Sequence, residues 1–202
     1  MIAIVDYGAG NLHSVSKALA ALGLEARVTG DPGEIEAARA VVLPGVGAFG
    51  DCMGGLRERG LVETVRRAAG SGRPFLGICL GMQLLFEWGE EGDGGPGLGL
   101  LPGRVVRLEP EGLKIPQMGW NSLQLTRPSP LWEEMTPGTY VYFVHSYHAR
   151  PADPSVVAAT VDYGGEVVAA VERGNLFGVQ FHPEKSGRAG LRILANFGRR
   201  AA

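Results

Sequence analysis

The 202-residue sequence predicts an α/β fold: a mixed, mainly parallel sheet with helices on both faces and added antiparallel strands. Three observations predict it. Through the first eighty residues, short apolar runs alternate with stretches of helical periodicity, which is the pattern of βαβ units. Beyond about residue 103, strand-like runs follow one another with short turns between them. Apolar residues make up 45% of the chain and charged residues 20%, an ordinary balance for a globular protein with a buried core. With no repeat and no linker, residues 1–202 read as a single domain.

Each element follows in order. "MIAIVD" is a first strand; its apolar run stops at Asp6 after five residues and has no basic flank, so it is not a leader. "NLHSVSKALAALG" has the spacing of a helix closing on Gly23, and "LEARVT" and "AVVLPG" are the second and third strands. A helical region spans about 50–70. "RPFLGI" (73–78) is a buried strand entered through Pro74, and "LGMQLLFEW" (80–88) is apolar at helical spacing. The glycine-rich "GEEGDGGPGLGLLPG" reads as a looping connection. "RVVRLE", "SLQLT", "TYVYFVHSYH" and "SVVAATVDYGGEVVAAVERGNLFGVQFHP" read as antiparallel strands, with a hairpin turning at Gly164-Gly165. "GRAGLRILANFGRR" is a final helix.

The formal charge of −2 gives no electrostatic reason to expect nucleic acid or an anionic membrane as partner. No apolar stretch approaches the ~20 residues of a membrane span. Two cysteines, Cys52 and Cys79, make neither a disulfide framework nor a zinc set, so the expected setting is reduced and cytoplasmic. The four histidines lack ligand spacing and no phosphate-binding fingerprint occurs; no metal and no organic cofactor is expected.

Cys79 stands where an apolar strand turns into a helical pattern, in the frame Gly77-Ile78-Cys79-Leu80-Gly81. That is the G-x-S-x-G nucleophile elbow with sulfur in place of oxygen. Glycines suit a sharp turn through their backbone freedom and small bulk. The pentapeptide alone equally fits a small buried hydrophobe. A thiol with a reference pKa near 8.5 needs a base beside it, and a helix N-terminus would favour its thiolate. Among His13, His145, His148 and His182, the last has the telling setting: it ends a strand, Pro183 follows, and Glu184 comes next. Two residues of extended chain would put His182 and Glu184 on one side, a carboxylate orienting an imidazole.

"GICLGMQLLF", "GVQFHPEKS" and "LPGVGAFGDCM" resemble the class I, triad-type glutamine amidotransferases. "DYGAGNLHSV", "IPQMGWN" and "YFVHSYH" are similar, within that family, to the glutaminase subunits of imidazole glycerol phosphate synthases of histidine biosynthesis. The resemblance runs from Ile2 to the final helix. It implies a flavodoxin-like core with added antiparallel strands, and hydrolysis of L-glutamine to glutamate and ammonia. Cys79 matches the nucleophile, His182 the general base and acid, and Glu184 the residue that orients it. Negative charge on the former carbonyl oxygen calls for two N–H donors. The N–H of Leu80 is one, and the strand-end loop Pro44-Gly45-Val46-Gly47 supplies the other through Val46 or Gly47, whose shared peptide is free to reorient. Gln83, one helical turn after Cys79, and His145, Ser146 and Tyr147 match substrate-contacting positions; Cys52 is expected to pack passively.

The implied partner is a cyclase subunit, a (β/α)-barrel that receives the ammonia in a heterodimer. The expected docking surface is the "PQMGWN" loop with Gln117, Met118, Trp120 and Asn121, and with Asn11 and Lys185 as polar contacts. Trp120 suits an aromatic anchor or a core position. Three rival readings stand beside it: a noncatalytic ammonia-carrier or docking subunit, against which the intact Cys79, His182 and Glu184 argue; the glutaminase of another synthase, for aminodeoxychorismate or anthranilate; and a cysteine hydrolase of the DJ-1/PfpI type. The last draws its histidine from soon after the cysteine, where this chain has Leu80, Gly81 and Met82.

Overall fold

The computed structural model describes residues 1–201. Its first eighty residues alternate strand and helix: β1 (Ile2–Val5), α1 (Leu12–Ala21), β2 (Ala26–Thr29), α2 (Pro32–Ala37), β3 (Ala40–Gly45), α3 (Phe49–Glu58), α4 (Val62–Gly70), β4 (Phe75–Cys79) and the single turn α5 (Leu80–Gln83). Then come β5 (Phe86–Gly89), β6 (Gly95–Pro96), β7 (Leu101–Arg107), β8 (Gln117–Ser122), β9 (Gln124–Leu125), β10 (Tyr140–His145), β11 (Tyr147–Pro151), β12 (Val157–Asp162), β13 (Glu166–Arg173) and β14 (Leu176–Val179), and last α6 (Gly187–Arg200).

The main sheet has the order β2-β1-β3-β4-β14-β13-β12-β9. Its first five strands are parallel and follow the doubly wound, flavodoxin-like order; β13, β12 and β9 extend it antiparallel. Strands β1, β3, β4 and β14 are buried along their whole length, as a sheet covered on both faces requires. Alternation along β1 divides the core. Ile2 and Ile4 face one side with Leu19 of α1 and Ile193 and Phe197 of α6; Ala3 and Val5 face the other with Phe49, Leu56 and Val65 of α3 and α4. A four-stranded sheet, β11-β7-β5-β6, and a two-stranded ribbon, β10-β8, stand beside the main sheet. No helix among the described residues is long and apolar enough to cross a membrane.

The sequence reading and the structure part in six places. Helix α2 was not expected, although Asp31 caps it by accepting the Glu34 N–H at 2.9 Å and Pro32 opens it. The 50–70 region is two helices, parted at Gly60 in the left-handed region (φ +67°). The helix expected to reach Trp88 stops at Gln83, because Phe86–Gly89 instead pairs with β7 and buries Phe86. "TYVYFVHSYH" breaks at Ser146 into strands of two different sheets, and "PQMGWN" is strand β8 rather than a loop. The glycine-rich connection contributes β6 and the start of β7.

Candidate active site

The carboxyl ends of β3, β4 and β14 lie side by side, the place where doubly wound sheets bind ligands. Cys79 ends β4 with φ 54° and ψ −114°, a conformation that costs a non-glycine residue of order 1–3 kcal/mol. The unusual angles therefore fall on the cysteine and not on its flanking glycines. Those glycines are there for bulk. A Cβ on Gly77 would lie 2.6 Å from the Gly81 carbonyl oxygen, and one on Gly81 would overlap the Leu43 carbonyl oxygen. Because α5 is one turn long, it offers Cys79 the free N–H groups of a first turn but little macrodipole.

Beyond β14, the His182 N–H donates to the Tyr142 carbonyl at 3.0 Å, and the Ser186 hydroxyl donates to the His182 carbonyl at 2.6 Å. Residues Pro183–Lys185 then form a 3-10 turn, not the extended chain expected. The turn brings Glu184 Oε1 to 2.8 Å from His182 Nδ1, with side chains 0% and 2% exposed. Asn11 Nδ2 donates to the same Oε1 at 3.3 Å. Burial acts to lower the His182 pKa, but the neighbouring Cys79 sulfur and the hydrogen-bonded Glu184 carboxylate outweigh it and push it up to about 9.

His145 is different. Its Nδ1 meets the Tyr147 carbonyl at 2.8 Å and its Nε2 meets Gln117 Oε1 at 2.8 Å. Two acceptors would demand an imidazolium, yet burial pushes this ring down to about 4. A neutral ring is satisfied when the Gln117 amide turns its N–H to Nε2, which also gives the partnerless Gln117 Nε2 its bond. Burial, with Arg150 second, likewise pushes His148 down to about 4.

A cavity of about 300 Å³ opens here. Val46, Gly47, Cys79, Leu80, Gln83, His145, Ser146, Tyr147, His182 and Lys185 all line it, whereas Glu184 stands behind His182. Sequence reasoning missed Glu91, Pro116 and Val144 in its wall. Glu91 belongs to the glycine-rich connection, where nothing local marks it; its Oε2 accepts the Phe49 N–H at 2.7 Å. Gln83 spends both N–H groups internally, on the Tyr147 carbonyl (2.9 Å) and Gln180 Oε1 (3.0 Å), leaving its buried Oε1 without a partner. Cys52 does more than pack: its thiol donates to the Val46 carbonyl at 3.4 Å, and the Tyr7 hydroxyl donates to the Pro44 carbonyl at 2.7 Å. Both cavity-loop carbonyls are thus held from the protein side.

Of the residues expected at a partner surface, Met118 (64% exposed) and Trp120 (56%) stand out on β8 beside Tyr140 (60%), and Lys185 is exposed at the cavity rim. More than half exposed, Trp120 is not a core residue, and it meets Tyr142 edge to face at 6.0 Å. Gln117 is buried, on the inward face of β8 against His145, and offers a partner nothing. Asn121 Nδ2 is engaged with the Asp162 carbonyl (2.9 Å) and Asn11 with Glu184.

A sulfur on a strained elbow, near a buried histidine that a carboxylate holds, is on this fold the constellation expected of a thiol-dependent hydrolase. Residues 3–201 match the family model for glutamine amidotransferase class-I, and the chain belongs to that family. It is 57% identical over 197 residues to the imidazole glycerol phosphate synthase subunit HisH of Moorella thermoacetica, covering 98% of this chain and 93% of that protein. It is 58% identical over 200 residues to the protein of the same name from Thermosynechococcus vestitus, covering 97% and 95%. A crystal structure of a glutamine amidotransferase shares the fold, with a TM-score of 0.77 at 23% identity over 100% of this chain and 99% of that one.

Proposed function

We propose that this chain is the glutaminase subunit of an imidazole glycerol phosphate synthase, releasing ammonia from L-glutamine for a cyclase subunit in histidine biosynthesis. The observation that carries the chemistry is His182 between the Cys79 thiol and the Glu184 carboxylate, at the floor of a cavity of amino-acid size. The synthase is argued from the two relatives. Cys79 attacks the γ-amide carbon as thiolate, and the pair of electrons moves to the carbonyl oxygen. As the tetrahedral species collapses, His182 gives its proton to the departing nitrogen and ammonia leaves a thioester. Water, losing a proton to His182, then hydrolyses the thioester to glutamate and frees the thiol.

The Leu80 N–H and a cavity-loop N–H receive the oxyanion in both steps. With the Val46 carbonyl held by Cys52, the Gly47 N–H of the same trans peptide points the opposite way, which favours Gly47 as second donor. Glu91 is the wall carboxylate suited to the substrate ammonium group. The apolar strip of Met118, Trp120 and Tyr140 is the docking surface for the cyclase, with Lys185 beside it at the cavity mouth.

The test is glutamine hydrolysis with and without the cyclase and its nucleotide ligand. Wild type is expected to be activated by the pair; Cys79→Ala is expected to be inactive under every condition. An electrophilic glutamine analogue labels Cys79 and spares buried Cys52. Trp120→Ala, folded and active alone, loses at least tenfold in cyclase affinity. Turnover in Cys79→Ala overturns the chemistry, and absence of activation in wild type overturns the partner.

A further inference from the structure

Gln180 lies two residues before His182, wholly buried, with its backbone N–H on the Ala169 carbonyl of β13 (2.8 Å). Its side chain belongs to the "GVQFHPEKS" stretch but was given no role there, yet its Nε2 comes to 3.8 Å from Cys79 Sγ, within reach of an N–H···S hydrogen bond. The orientation of that amide is fixed by a group that cannot rotate. The Tyr147 backbone carbonyl is only an acceptor, so Gln83 must turn its NH2 toward it. The other N–H of Gln83 then meets Gln180 Oε1, and the NH2 of Gln180 is left facing the sulfur.

From this chain of bonds, we infer that Gln180 is a catalytic residue: its side-chain N–H donates to the Cys79 sulfur, stabilises the thiolate, and aims it at the substrate carbon. A donor helps the charged form of an acceptor most, since charge-assisted bonds are about twice as strong as neutral ones. His182 holds the sulfur from one side, and Gln180 holds it from the sheet. The Tyr147 carbonyl that anchors the relay also accepts from His145 Nδ1, and Tyr147 and Gln83 line the substrate cavity. Seating of substrate against this wall is therefore felt at the sulfur through two side chains. The inference deepens the function proposed above and rests on Cys79 as its nucleophile.

The experiment uses reagents that need no glutamine turnover, so the two readings fail separately. Iodoacetamide alkylation of Cys79 is followed from pH 5 to 9 in the full-length wild type, Gln180→Leu and the paired variant Gln83→Leu/Gln180→Leu, with folding checked by thermal unfolding. The expected result is an alkylation profile displaced to higher pH by half a unit or more in both variants. Glutamine kcat in Gln180→Leu falls at least tenfold while KM moves less than threefold. The paired variant recovers thermal stability, because Gln83 no longer leaves an orphaned donor, but recovers neither the profile nor kcat. Wild-type profile and kcat in a folded Gln180→Leu overturn the inference. Should the variants not fold, the side-chain amide protons of Gln180 are followed by NMR in wild type. One of them moves on alkylation of Cys79 if it bonds the sulfur, and no movement overturns the inference. Inactivity of wild type toward glutamine alongside a displaced profile would instead count against the glutaminase reading alone.

Discussion

At Cys79 the usual ranking of small residues inverts. Alanine ordinarily stabilises a chain relative to glycine, but at φ 54° and ψ −114° its Cβ is the source of the strain. Cys79→Gly is therefore expected to unfold at higher urea than Cys79→Ala, by about 1 kcal/mol, with neither variant active; the reverse order would remove strain from the account. His182 gives a second expectation. A histidine raised from 6.5 to about 9 in the folded protein adds stability that is complete below pH 6.5 and lost as pH climbs through 9. Glu184→Gln withdraws one of the groups that raise it, so the His182 ring titrates at lower pH by NMR and the alkaline loss of stability begins earlier. Activity falls less than in His182→Ala, since the imidazole remains. The motif residues Cys79, His182 and Glu184 were visible in the sequence because each sits in a local pattern. Glu91 was not, being a charge in a glycine-rich stretch that only the fold carries to the cavity, and Gln180, though inside "GVQFHPEKS", gains a role only when the fold sets it against the Cys79 sulfur.

Element by element, the elbow is a collision avoided. Strand β4, turn α5 and the end of β3 approach so closely that a Cβ on Gly77 or Gly45 would run into the Gly81 backbone, and one on Gly81 into that of Leu43. Gly81→Ala is expected to cost 3 kcal/mol or more, because the Leu43 carbonyl is backbone in the sheet centre and cannot yield. Gly54→Ala in α3, where a Cβ meets nothing within 4 Å, is expected to gain up to about 1 kcal/mol. Equal effects in the two, by urea unfolding, would refute this contrast. Periodicity located the elements whose faces are set by the main sheet, down to α6 at Gly187–Arg200. It failed at Phe86–Gly89, where helical spacing lost to pairing with a strand that begins twelve residues later. Helix α2 was legible in principle: Asp31, Pro32 and Glu34 spell a cap, but six residues carry little periodicity.

For the molecule as a whole, two neutral histidines set its response to acid. His145 and His148 resist protonation to about pH 4 when folded and take protons near 6.5 when unfolded. Stability therefore declines as pH falls from 6.5 toward 4, by up to about 1.4 kcal/mol per pH unit for each. Urea unfolding between pH 7.5 and 4.5 is expected to show this slope, and His148→Phe to remove about half of it; an unchanged slope would refute the assignment. The sheet order has a consequence for biosynthesis. β14 lies between β4 and β13, so the middle of the sheet is filled by the strand that comes last in sequence among those described, and Gln180 reaches Cys79 across 101 residues of sequence. Until β14 arrives, β4 has an open edge and the thiol at its tip lacks both His182 and Gln180. A nascent chain thus carries Cys79 without these neighbours for the 101 residues that separate it from Gln180, and the same strand that closes the sheet brings them to it.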